Sequence, residues 1–173
     1  LSVLCVIFHI KPTYSAIITA IIFTLLQGYF FSFEKIDHGY ATLTYTVLLM
    51  PFLIAESKHS YHKQILTTWS LPAIQTTIAG AYFFAGLEKL FTGGFSWASA
   101  HTFRTYLYLH QAPLGLELAK SDFLSTFLPL MALLFQLGFI LVVFYPKLKY
   151  MFLPGGIAFH VGTVLLFHIG AYF

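Results

Sequence analysis

Long apolar runs with almost no charge dominate this chain and leave it few ways to fold. Residues 14–33 and 123–145 contain no Asp, Glu, Lys or Arg, and residues 151–173 carry only His160 and His168 as groups that titrate near neutrality. A helix crosses the hydrocarbon core of a bilayer in about 20 mostly apolar residues, and its backbone groups are then satisfied within the segment itself. Each run therefore reads as a membrane helix. The balance of the 173 residues agrees: 9% are charged, against roughly 25% in soluble domains.

Two further stretches follow the same logic with breaks. Residues 65–87 are uncharged, but Pro72 lacks a backbone N–H and should start a helix rather than continue one, which places the span at 71–90. Residues 40–55 are short and contain Pro51, so that helix is kinked or runs on into the polar stretch that follows. Residues 1–10 read as the tail of another span, giving about six membrane segments by the length criterion. The expected fold is all-α: a polytopic transmembrane helical bundle forming a single domain over residues 1–173. Both ends lie in mid-run, so truncation at both termini is expected.

The connection at 92–121 is too long for a bare loop. Trp97, Ala100, Phe103, Leu107 and His110 recur at helical spacing there. That stripe predicts an amphipathic helix at the membrane interface, with a short second helix at 114–120, so that residues 95–120 form an interfacial helical segment.

The net charge of +3 is spread thinly and forms no basic tract, so nucleic acid is excluded as a partner. The single cysteine, Cys5, allows no internal disulfide and no cysteine-based metal site. His59 and His62 are three apart, but no third ligand stands near them, and no metal is expected. The patterns GxGxxG, HExxH and GxSxG are absent.

Function must then reside in the few polar groups kept inside apolar surroundings. Lys89 closes a span; low dielectric favours its neutral form, which is how a lysine serves as a general base, while the simpler reading is a lysine snorkelling to the interface. His160 lies about 13 Å into the last span at 1.5 Å per residue, too deep to snorkel. It either lines a site or bonds across helices to Gln136, which lies near mid-span on the preceding helix. In an alternating topology Lys89 and His168 share a depth near one face, with Trp97 and Arg104 beside them. That constellation predicts a pocket holding a base, an imidazole, a cation and aromatic walls; an interfacial histidine bonded to headgroups is the alternative for His168.

The run Ala81-Tyr82-Phe83-Phe84-Ala85-Gly86-Leu87-Glu88-Lys89-Leu90 resembles the signature of the vitamin K-dependent gamma-carboxylase-like family, the HTTM (horizontally transferred transmembrane) domain. Gly94-Phe95-Ser96-Trp97, Phe103-Arg104-Thr105-Tyr106-Leu107, Leu134-Phe135-Gln136-Leu137-Gly138-Phe139, Ile157-Ala158-Phe159-His160 and the ending Ile169-Gly170-Ala171-Tyr172-Phe173 are similar to later motifs of the family in order and spacing. The resemblance covers slightly more than half of the chain. It implies a lyase-type chemistry in which Lys89 is the base that deprotonates reduced vitamin K or a similar quinol, without a metal. Glu56-Ser57-Lys58-His59 resembles the family's histidine-bearing turn and makes His59 a further catalytic candidate. Alternating spans put His59 and Lys89 at opposite faces unless the segment after Ala55 dips back into the membrane. An acidic residue is usual in bacterial members where Gln136 stands.

The resulting expectation is a quinol-dependent, carboxylase-like enzyme of the bacterial cytoplasmic membrane. Lys89, His160 and His59 carry the chemistry, and His168, Trp97, Arg104 and Gln136 bind the substrate. The rival is a non-catalytic quinone- or lipid-binding scaffold, or a subunit of a larger membrane complex with a protein partner. A small transporter ranks last, since only Pro51 and Pro72 offer a pair of broken helices.

Overall fold

In the computed structural model, residues 2–8, 10–32, 38–60 and 69–168 are described. They are helical with no strand among them. In order they form α1 (Ser2–Ile7), α2 (Pro12–Phe31), α3 (His38–Ser60), α4 (Ser70–Gly93), a 3-10 turn (Gly94–Ala98), α5 (Ala100–His110), α6 (Pro113–Ala119), α7 (Asp122–Gly138), α8 (Leu141–Phe144), a second 3-10 turn (Pro146–Leu148) and α9 (Lys149–Phe167). The chain divides into two compact units, Leu1–Ala81 and Tyr82–Phe173, with the division inside α4.

In the first unit α2 packs on α1 and α3. Its buried positions are Ala16 and Ala20, small residues one turn apart, the spacing that lets two helices approach closely. The rest of α2 is outward-facing oil, including Ile18, Ile21, Leu25 and Leu26. A helix apolar all round and hardly buried is built for lipid rather than water. Pro51 is accommodated inside α3, which runs on through Glu56 and Ser57, the second of the two courses expected for that helix. Glu56 explains part of that extension: its carboxylate accepts hydrogen bonds from the backbone N–H and the hydroxyl of the fully buried Ser70, at the start of α4. Pro72 lies in the first turn of α4, where its missing N–H costs nothing.

The second unit is built on α5, α6, α7 and α9. Ser99 caps α5 and Ser121 caps α7, each accepting from the backbone N–H three residues on. Gln111, in the left-handed region (φ 56°), ends α5 and lets Pro113 open α6. Leu107, Ala112 and Ala119 are buried as the α5–α6 hairpin packs on α7 and α9. Along α7 the buried face runs Ser125, Pro129, Leu133, Gln136, a single stripe at helical spacing.

Two helices are long and apolar enough to cross a membrane: Pro12–Phe30 and Pro146–Phe167. A third results if α6 and α7, bent by 112° at their junction, are counted as one broken span. Two or three spans among the described residues stand against the six expected. The shortfall has local causes. The apolar part of α3 is confined to Ala41–Ser57. α4 carries Gln75, Thr76, Thr77, Glu88 and Lys89 and falls below the required apolarity. The expected span at 123–145 is interrupted after Gly138, a poor helix former whose open side is filled by the Phe152 ring.

Candidate functional site

Lys89 lies on the penultimate turn of α4, half-buried. Its ammonium donates to the Ala85 carbonyl at 3.3 Å and sits 5.1 Å from the centre of the Trp97 ring. Local backbone chemistry makes that pairing: Gly94 takes φ +55°, a conformation glycine adopts without penalty, and the chain folds back through the 3-10 turn. Gly93 makes a close approach as well: a Cβ there would lie 3.1 Å from that of Trp97. Among the described residues Lys89 has no carboxylate within ion-pair distance.

His160 is not bonded to Gln136. Its Nε2 lies 2.6 Å from the hydroxyl of Tyr82, a partner the sequence reading missed. The phenol ring stacks on Phe139 (4.6 Å between centres, 19° between planes) and meets Phe135 and Phe159 edge-on. These phenyl rings occupy the ground between α7 and α9. Gln136 instead points its stem towards α4, where the absence of a side chain on Gly86 leaves room for it. Gln136 is 5% exposed, and its Oε1 has no hydrogen-bond partner among the described residues. An orphaned buried acceptor costs about 1–3 kcal/mol. Gln136→Met, close to the same shape, is therefore expected to raise the melting temperature in mild detergent. A fall would mean that water or a ligand satisfies the amide.

Arg104 is engaged elsewhere too. Its guanidinium pairs with Asp122 and donates through Nε to the buried Ser125 hydroxyl at 3.2 Å, tying α5 to the first turn of α7. Asp122 is 95% exposed, so the ion pair itself is worth little; the tie to Ser125 fixes the helix. His168 is not inside the last helix. It stands just past it in the left-handed region (φ 53°), where its N–H closes onto the Val164 carbonyl, and its side chain is exposed. The side chain of His59 lies outside the described residues, as does His62. Of the expected constellation, the structure brings Lys89 and Trp97 together. No hydrogen bond, ion pair or ring contact among the described residues joins Lys89 to Arg104, His160 or His168. No group of three or more metal-ligating side chains is found among the described residues.

An open groove of about 550 Å³ lies between α5, α7 and α9. Phe103, Met131, Phe135, Phe159, Gly162 and Leu166 are among the side chains that shape it. One hydroxyl reaches it, that of Thr163, and it is spent on the Phe159 carbonyl of its own helix at 2.8 Å. The groove is thus mostly apolar, and neither Lys89 nor His160 lines it. Sequence periodicity hinted at one wall: Phe103 and His110 of the predicted α5 stripe both meet the Phe167 ring edge-on.

The chain matches no protein-family model, no curated protein and no solved structure.

Proposed function

We propose that this chain is an integral membrane protein of the carboxylase-like HTTM type, a polytopic bundle whose groove between α5, α7 and α9 holds the chain of a lipid-soluble quinone. The observation that carries this reading is the groove itself. Its volume of about 550 Å³ lies in the range of small-molecule sites, roughly 300–1,000 Å³. Its walls are mostly rings, aliphatic side chains and the thioethers of Met131 and Met151, which suits an isoprenoid chain better than a sugar, nucleotide or ion. Mass spectrometry of molecules co-purifying with the protein in native-lipid discs tests it. A prenylated quinone enriched over the surrounding lipid is the expected result; bulk phospholipid alone overturns the reading.

One observation favours chemistry on that quinone. Lys89 is a half-buried cation with an indole beside it and no carboxylate paired to it among the described residues. Partial withdrawal from water favours release of its proton, and in this second reading Lys89 takes a proton from a quinol hydroxyl. The quinol ring, extending beyond the groove, is then what meets the amine. Lys89→Ala is expected to abolish oxygen-dependent quinol consumption under reducing conditions while leaving quinone co-purification intact. Equal consumption by both proteins leaves the non-catalytic alternative, a quinone- or lipid-binding component of a larger bacterial membrane complex.

A further inference from the structure

The Tyr82–His160 contact joins residues 78 positions apart and, among the described residues, is the one side-chain hydrogen bond between α4 and α9. Which way the proton points decides what the imidazole offers. Imidazole nitrogen is a far stronger base than phenol oxygen, and the phenol has one proton to give. Were the histidine the donor, the Tyr82 hydroxyl would need a second acceptor, and none is found among the described residues. A phenol that donates to Nε2 leaves a neutral His160 with its proton on Nδ1. The ring is held in place by the stack of Tyr82 on Phe139 and by the edge contact of Phe159 with His160 itself, 5.4 Å between centres.

That leaves an N–H with no partner. Nδ1 has no acceptor among the described residues, and His160 is exposed on a helix long and apolar enough to span a bilayer. An unpaired donor facing hydrocarbon is costly, so such groups are met by a polar atom from somewhere. We propose that Tyr82 is a positioning residue that locks His160 as the Nδ1–H tautomer, and that this N–H receives a carbonyl oxygen of a lipid-soluble ligand. A quinone carbonyl or a lipid ester carbonyl supplies the same acceptor. The quinone source rests on the reading of the groove given above; the tautomer does not.

Tyr82→Phe keeps the ring that stacks on Phe139 and removes only the donor. In lipid discs carrying isotope-labelled histidine, nitrogen NMR of the wild type is expected to show Nδ1 protonated and Nε2 as acceptor, and Tyr82→Phe to lose that preference. The probes are decyl-benzoquinone and decylbenzene, which differ in the two carbonyls. Wild type is expected to bind the quinone about tenfold more tightly than the hydrocarbon, the worth of one well-placed hydrogen bond, and Tyr82→Phe to bind both alike. If wild type shows no preference, discs made from ether lipids are compared with discs made from ester lipids: a change in the Nδ1 signal then assigns the lipid ester as the acceptor and removes the quinone reading. An Nε2–H tautomer in the wild type, an unaltered quinone preference in Tyr82→Phe, or no response to either carbonyl source overturns the proposal.

Discussion

Gly115→Ala is expected to separate α6 from α9 and to destabilise the second unit by about 2 kcal/mol, the middle of the overpacking range. A Cβ at Gly115 would stand 2.6 Å from the backbone oxygen of Leu166 and 3.1 Å from the Leu107 side chain. Leu107 is fully buried, and the Leu166 oxygen is main chain, which does not yield as cheaply as the far end of a flexible side chain. Opposing this, alanine is intrinsically better in a helix than glycine by about 0.8–1.0 kcal/mol. The clash wins because the obstacle is backbone on a different helix. Leu166 also forms part of the groove wall, so the loss extends to ligand retention. Gly28→Ala is the control: a Cβ there meets nothing within 4 Å, so only the propensity gain remains. Thermal unfolding of both variants in the same detergent decides the matter. Equal melting temperatures would mean that α6 does not rest on α9 as described.

The parts of this structure that were legible in the sequence are those set by local chemistry. Apolar runs located α2 and α9, Pro72 located the start of α4, and the stripe from Trp97 to His110 located α5. Helix ends were less legible, because one residue decides them: Gly138 ends α7 short of the apolar run, and His168 closes α9 in a left-handed conformation that favours no particular reading of a histidine. The site was legible only where its members are close in sequence. Lys89 and Trp97 meet because the Gly93-Gly94 pair folds the chain back within one turn. Pairing His160 with Gln136 by depth alone failed because depth says nothing about rotation. Phe135 and Phe139, the neighbours of Gln136, took the α9-facing side, and the amide turned to the gap left by Gly86. Tyr82 was in plain view inside the motif around Lys89, yet nothing local to it indicates a histidine 78 residues away.

Filling the groove is the sharpest way to separate its ligand from its structural role. Gly162 lines the groove on α9, and a Cβ there meets nothing within 4 Å. Gly162→Phe is thus expected to send a ring into the groove without displacing a helix, and it replaces a residue that costs a helix about 0.5–1 kcal/mol relative to alanine. The expected result is a melting temperature equal to or above that of the wild type, together with a loss of co-purified quinone of about tenfold or more, or about 1.4 kcal/mol in binding. Gly155 is the instructive contrast: it lines the same groove, but its Cβ would lie 3.1 Å from the Phe135 ring. Gly155→Phe must therefore disturb packing and ligand together, whereas Gly162→Phe uncouples them. Quinone retained at wild-type occupancy by a stable Gly162→Phe protein would place the ligand elsewhere, and the groove would then be nothing more than a seam filled by bulk lipid.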